Sequence, residues 1–186
     1  IFCSEGGSGD FAPSRLLPME EQVEQARRRV SGKYRGNSYI AYFQAYTNTY
    51  DTLERLTARY EEALAVEDVI GLVIGTRPDC MPDELLHYLQ QLSHTHAVLV
   101  EYGVESIYDT TLLRINRGHT HAQSVDAIRR TAACGLPVGI HMILGLPGES
   151  KEMIINEAKV LSALPVTSLK LHQLQLIRGT QKIGRA

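Results

Sequence analysis

The run Val138-Gly139-Ile140-His141-Met142-Ile143-Leu144, followed at once by Gly145-Leu146-Pro147-Gly148-Glu149 and then Ser150, decides the fold class. Its first part is a short, mostly apolar run of strand length, and the Gly and Pro residues after it break any continuation. From Ser150 onward, Ile154, Ala158 and Leu161 recur at helical spacing until Pro165 stops the helix. A strand that turns directly into a helix is the repeating unit of parallel α/β folds, because a parallel neighbour can be reached only by a crossover.

The same unit recurs in both directions. Upstream, Thr120 and Gln123 form a capping box for a helix striped by Val125, Ile128 and Ala132 and ended by Gly135. A shorter helix is predicted from Thr110 to Ile115, after a strand at about Ala97 to Val104. Before that, Leu85, Leu86, Leu89 and Leu92 mark a helix opening at Pro82, and Val69 to Gly75 reads as a strand. Asp51 and Glu54 predict a box for a helix that turns Leu53, Leu56, Tyr60 and Leu64 inward, preceded by a strand at about Tyr39 to Gln44. A first helix covers about Pro18 to Val30, and a last strand about Leu169 to Ile177, where the alternation slips at His172-Gln173 and predicts a bulge.

Five strands in such units predict an α/β fold, a partial TIM-type (β/α)6 barrel with parallel strands whose first strand lies upstream of Ile1. A complete eight-unit barrel needs about 250 residues. The 186 residues read as one unit, and because Ile1 enters a Cys motif with no preceding element, truncation at both ends is expected.

Nineteen Lys and Arg against 21 Asp and Glu leave a net charge of -2, which offers no overall attraction to nucleic-acid phosphates. Apolar runs are too short to span a bilayer, and the widely separated Cys3, Cys80 and Cys134 do not resemble a secreted disulfide framework. A cytoplasmic protein with no membrane partner is expected.

Parallel strand-helix folds place their chemistry beyond the carboxyl ends of the strands, and polar residues gather there unit after unit. The strands run out into Gln44, Tyr46, Thr47 and Asn48; into Thr76, Arg77 and Asp79; into Glu101, Gly103, Glu105 and Ser106; into His141 and Gly145-Leu146-Pro147-Gly148-Glu149; and into His172, Gln173 and Gln175. Such a rim can hold a polar cofactor with several hydrogen-bonding ends. Locally, Gly145 to Glu149 reads equally as a plain turn with Glu149 near a positive helix end. Glu101 and Glu105 read either as an acid-base pair or as separate hydrogen-bond acceptors. Cys3, beside Phe2 in an Ile-Phe-Cys-Ser-Glu-Gly-Gly segment, reads by itself as a stray terminal thiol before it reads as a cluster ligand. The remaining histidines, His87, His94, His96, His119 and His121, lack metal-ligand spacing.

Five stretches in order carry a resemblance: Tyr42-Phe43-Gln44-Ala45-Tyr46-Thr47, Gly75-Thr76-Arg77-Pro78-Asp79-Cys80, Arg114-Ile115-Asn116-Arg117-Gly118-His119, Gly145-Leu146-Pro147-Gly148-Glu149 and Lys170-Leu171-His172. Together they resemble the radical S-adenosylmethionine (radical SAM) superfamily, and within it the YhcC-like group of iron-sulfur oxidoreductases. The resemblance implies a 4Fe-4S cluster held by three cysteines, of which Cys3 matches the last, and S-adenosylmethionine as second cofactor. It implies reductive cleavage to a deoxyadenosyl radical that takes hydrogen from an unknown substrate, fed by an electron donor such as flavodoxin or ferredoxin. Gln44, Tyr46, Thr47 and Asn48 stand where the family holds the methionine amino group, with Gln44-Ala45-Tyr46 in place of its usual Gly-Gly-Glu. Glu105 matches the ribose position, and Arg117 suits the cofactor carboxylate or a structural ion pair. Ile143 through Glu149, with Gly145, Leu146, Pro147 and Gly148 at the turn, match the adenine side, and Leu171, His172 and Gln173 complete that wall beside His141.

Two other readings stand beside it. One is a cluster-free barrel aldolase or hydrolase using Glu101, Glu105, His141 and His172 for proton transfer. The other is a non-catalytic barrel that binds RNA or another ligand, against which the balanced charge argues. Because two of the family's three cluster cysteines have no match in the sequence, the 186-residue chain by itself is expected to hold no intact cluster. Anaerobic reconstitution of this chain with iron and sulfide is expected to give neither stoichiometric iron nor the broad visible absorption of a 4Fe-4S centre.

Overall fold

A computed structural model describes residues 13–175, apart from 15, 33–35 and 37. Within them five strands, β1 (Tyr39–Phe43), β2 (Val69–Thr76), β3 (Ala97–Glu105), β4 (Val138–Leu144) and β5 (Ser168–Gln173), form one sheet in sequence order. Every neighbouring pair is parallel, and the sheet curls into a half-barrel. The helices are α1 (Met19–Ser31), α2 (Leu53–Leu64), α3 (Asp83–Leu92), α4 (Asp109–Arg114), α5 (His121–Ala133) and α6 (Lys151–Leu161), with a 3-10 turn at Pro78–Cys80. No helix among the described residues is long and apolar enough to cross a membrane.

One face of the sheet is buried beneath helices. Leu72 and Ile74 of β2, Val98, Val100, Tyr102 and Val104 of β3, and Val138, Ile140 and Met142 of β4 join a core with Leu56 and Tyr60 of α2, Leu85, Leu86 and Leu89 of α3, and Ala127 and Ile128 of α5. Each buried Leu, Ile or Val contributes about 1.5–3 kcal/mol, so this layer is what holds the strands side by side. Tyr102 is completely buried, and its hydroxyl is satisfied 2.7 Å from Thr131 Oγ1. Because side chains alternate along a strand, residues between these core positions project from the opposite, concave face.

The predicted helix starts are partly realised. Thr120 and Gln123 make both bonds of their capping box, and Ser150 Oγ accepts the Met153 N–H at 3.3 Å. Asp51 caps nothing, because α2 begins after Thr52; its carboxylate accepts the Thr52 N–H at 2.9 Å and pairs with Arg59 at 2.8 Å and Arg55 at 3.6 Å. The bulge expected at His172-Gln173 is also absent. Pairing of β4 with β5 is unbroken from Gly139↔Ser168 to Leu144↔Gln173. Ser168, Lys170 and His172 simply alternate with Leu169, Leu171 and Gln173, and the polar Gln173 at the exposed end of the leucine row blurred the pattern. The irregularities instead fall between Tyr39 and Ile40 and between Gly103 and Glu105.

Gly71 shows how closely β2 and β3 approach: it pairs with Ala97, and an added Cβ would clash with the Ala97 backbone carbonyl. Gly71→Ala is expected to lower unfolding free energy by about 1–3 kcal/mol. Gly32→Ala, where φ is -71° and nothing lies within 4 Å, is expected to gain about 0.4–1 kcal/mol. Urea unfolding of the two variants beside the parent checks both signs.

Candidate functional site

The irregularity in β3 builds the first part of the site. Between Gly103 and Glu105 the register with β4 shifts, and Glu105 takes a left-handed backbone with φ 66°. Few non-glycine residues adopt that conformation, and here it brings the carboxylate back over Gly103. A Cβ on Gly103 would lie 2.7 Å from Glu105 Oε1 and would clash with the Arg117 guanidinium, so glycine makes the space that both occupy. Arg117 Nη2 lies 3.1 Å from Glu105 Oε1, and Arg117 also donates to the Gly103 carbonyl from Nε at 3.2 Å and Nη2 at 2.8 Å. His119 Nε2 reaches that carbonyl at 3.1 Å. Burial pushes the Glu105 carboxyl above its ordinary range, and Arg117 pulls against this.

The turn after β4 carries the second part. Gly145 and Gly148 have φ of 83° and 89°, a conformation that favours glycine, and Arg114 Nη1 donates to the Pro147 carbonyl at 2.6 Å. Leu146 is buried in a small cluster with Leu112, Ile115 and Ile143, which fastens α4 against the turn. Ser106 Oγ lies 2.5 Å from Glu149 Oε1 and 3.2 Å from Glu157 Oε1 on α6, while Glu157 Oε1 also accepts the Ile107 N–H at 3.1 Å. A serine hydroxyl has one proton, so it cannot donate fully to both carboxyl groups. Burial raises the Glu157 pKa, and the charge of Glu149 raises it further. Glu149 Oε2 is buried without a partner among the described residues.

At the end of β1, Asn48 is a fastener. Its side-chain amide donates to the carbonyls of Phe43 at 2.9 Å and Gly75 at 2.8 Å, tying β1 to β2, while Tyr60 donates to its backbone carbonyl at 2.7 Å. Gln44 and Tyr46 are exposed, Thr47 is half-buried, and Tyr46 has a left-handed backbone with φ 64°. Arg77 and Asp79 form a two-armed ion pair at 3.0 and 2.6 Å beside the Gly118 carbonyl.

The third part lies on the concave face. Glu101, 3% exposed, accepts at one oxygen, Oε2, from Tyr42 Oη at 2.7 Å, Lys170 Nζ at 2.7 Å and His141 Nε2 at 3.0 Å. His141 Nδ1 in turn lies 3.3 Å from His172 Nε2, with ring centroids 5.1 Å apart. Burial works against the Glu101 charge, but hydrogen bonds from Lys170, Tyr42 and His141 outweigh it and hold its pKa below the ordinary value. Burial also lowers the pKa of His141, against the opposing pull of Glu101. Burial and the hydrogen bond to Glu101 raise the pKa of the Tyr42 hydroxyl.

The structure thus unites Glu105 with Arg117 and His141 with His172, sets Glu149 against Ser106 and Glu157, and gives Asn48 a structural task. Cys3 lies outside the described residues, and among those described no group of three or more His, Cys, Asp or Glu could hold a metal ion. Sequence reasoning missed Tyr42, Lys170 and Glu157 as members of polar clusters. The period-2 alternation that puts Tyr42, Glu101, His141 and Lys170 on the non-core face was the available signal.

The radical SAM superfamily model matches residues 1–161. YtqA of Bacillus subtilis (strain 168) is 39% identical over 182 residues, covering 98% of this chain and 56% of YtqA. YhcC of Escherichia coli (strain K12) is 34% identical over 180 residues, covering 96% of this chain and 57% of YhcC. The chain therefore spans little more than half the length of these relatives. Among solved structures, archaeal Methanocaldococcus infernus Elp3 superposes with a TM-score of 0.70 at 20% identity, over 89% of this chain and 43% of that one. Streptococcus suis SuiB bound to S-adenosylmethionine gives 0.59 at 12% identity, over 91% and 37%. These two likenesses concern the fold.

The buried Glu157 makes a pH test available. A carboxyl whose folded pKa is raised contributes stability that is present below its unfolded pKa, about 4.3, and is lost as pH rises through the folded value. Glu157→Gln retains an acceptor but does not titrate. Its Tm is expected to fall less between about pH 4 and pH 8 than that of the parent, as thermal melts across that range would read.

Proposed function

Because the chain belongs to the radical SAM superfamily, whose members are enzymes, we propose that its rim holds S-adenosylmethionine above the concave face of the sheet. The observation that carries this reading is the Glu105-Arg117 pair at 3.1 Å, placed at the carboxyl end of β3 by a left-handed residue and a glycine. The pair engages Oε1 of Glu105, a residue only 8% exposed. A carboxylate oxygen of this kind accepts from a sugar hydroxyl, while a neighbouring guanidinium attracts a carboxylate. Glu149 Oε2, buried without a partner among the described residues, lies at the same end of the sheet, on the turn that follows β4. These features suit a ligand with hydroxyl, amino and carboxylate ends.

Cys3 would be one thiolate ligand of a 4Fe-4S cluster, with the others supplied by the whole protein. A reduced cluster held there would supply one-electron cleavage chemistry to S-adenosylmethionine bound at the rim, directed at hydrogen abstraction from a substrate. The chain's own residues bind and orient: Glu105 takes the ribose, Arg117 the carboxylate, and Gly145 to Glu149 border the adenine. Gln44, Tyr46 and Thr47 lie where the amino group would be bound, and Asn48 holds that segment to β2. A flavodoxin or ferredoxin supplies the electron.

The full-length protein, reconstituted anaerobically and reduced, is expected to convert S-adenosylmethionine to 5′-deoxyadenosine; its absence from a cluster-loaded sample would contradict the reading. Glu105→Gln and Arg117→Ala are each expected to weaken S-adenosylmethionine binding about ten- to a hundredfold by calorimetry, the range for losing a hydrogen bond to a charged group.

A further inference from the structure

Beyond the adenine-side wall that the resemblance assigns to His141 and His172, the cofactor reading gives the Glu101 cluster no task, and its hydrogen bonds fix a direction. Glu101 is held ionised by its three donors, and an ionised carboxylate only accepts. The His141 nitrogen facing it at 3.0 Å, Nε2, must therefore carry a proton. Burial keeps His141 neutral, so its other nitrogen, Nδ1, is bare and can only accept. The group 3.3 Å from that bare nitrogen is His172 Nε2, which must therefore donate. In a neutral His172 this leaves Nδ1 as the bare, proton-accepting nitrogen, on an exposed residue at the outer end of the chain of bonds. Direction thus passes from a buried carboxylate, through one imidazole, to a second imidazole open to a ligand.

The surroundings agree with a built arrangement. Among the described residues, the charged and titratable groups joined to the two imidazoles are Tyr42 from β1, Glu101 from β3, and Lys170 from β5. Lys170 balances the Glu101 charge and also lies 4.6 Å from the centre of the Tyr42 ring. A Cβ on Gly139 would come within 2.8 Å of both Glu101 Cγ and Ser168 Oγ, so glycine makes room for the carboxylate between β3 and β5. Apolar residues of similar volume would serve packing alone as well as a buried charge cluster does.

We propose that Glu101 and His141 position His172 as a proton acceptor for a substrate that presents an O–H or N–H group against the concave face. This rests on the reading that the concave face is where substrate meets the cofactor. The proton leaves the substrate heteroatom for His172 Nδ1, and the bonding pair stays on the heteroatom. His172 becomes an imidazolium whose Nε2 proton stays donated to the bare Nδ1 of His141, and His141 remains neutral against the Glu101 carboxylate. No electron changes hands between substrate and relay.

The test uses the full-length protein labelled with 15N in histidine, in the absence of cofactors. Long-range 1H-15N spectra near pH 7.5 are expected to show His141 protonated at Nε2 and bare at Nδ1, with a proton on His172 Nε2. In Glu101→Gln the titration midpoint of His141 is expected to fall, because the negative charge that raised it is gone. In His141→Phe, His172 is expected to lose its single tautomer. Diethyl pyrocarbonate, which acylates bare imidazole nitrogens, is expected to label His172 ahead of His141 in peptide maps. A proton on His141 Nδ1, a His141 midpoint indifferent to Glu101→Gln, or a His172 that resists labelling would overturn the proposal. None of these readouts involves S-adenosylmethionine, so their failure would leave its cleavage standing, and a failure of cleavage would leave the directed imidazole pair intact.

Discussion

The structure depends on covering the helix-facing side of a parallel sheet. Leu72, Ile74, Val100, Tyr102, Val138, Ile140 and Met142 are each 2% exposed or less, and they lie beneath α2, α3 and α5. Parallel strands need crossover helices, and those helices need an apolar surface to rest on. With one row of each strand committed to that layer, the alternate row and the strand ends are left for polar residues. Tyr42, Glu101, His141 and Lys170 occupy the alternate row, and Glu105 and Glu149 lie at the carboxyl ends.

Glycine and backbone irregularity then place the polar groups. Gly103 admits Glu105 and Arg117, Gly139 admits Glu101, and the shifted register after Gly103 turns Glu105 over the strand. A left-handed glutamate on the last residue of a strand is strained, and such strain persists where the surrounding structure holds it. Here the register shift and the Arg117 pair hold it. The three carboxyl groups meet different surroundings: Glu101 is stabilised as an anion by three donors, whereas burial raises the pKa of Glu105 and Glu157. Side chains of one chemical type are thereby given different protonation behaviour in one half-barrel.

Much of this was legible in the chain. The strand-helix alternation, the parallel order, the Thr120-Gln123 box and the collection of polar residues beyond the strand ends followed from periodicity and turn chemistry. Two local expectations did not hold. Asp51 looked like a cap because it precedes an apolar stripe and Glu54, yet α2 starts one residue later and Asp51 pairs with Arg55 and Arg59. The end of β5 looked irregular because the exposed Gln173 follows Leu169 and Leu171 in the same row, so two polar residues stand side by side although the pairing is regular.

The sequence by itself determined which residues can lie on which face, because side-chain direction alternates along strands and repeats along helices whatever the tertiary setting. It also determined where strands end, through Gly, Pro and capping residues. Tertiary structure alone decided who meets whom. Tyr42 and Lys170, 128 positions apart, come within 3.3 Å at a carboxylate between them, and Ser106 meets Glu157 across 51 positions. Such meetings depend on the curl of the sheet, which arises from packing between segments distant in sequence rather than from the residues beside them.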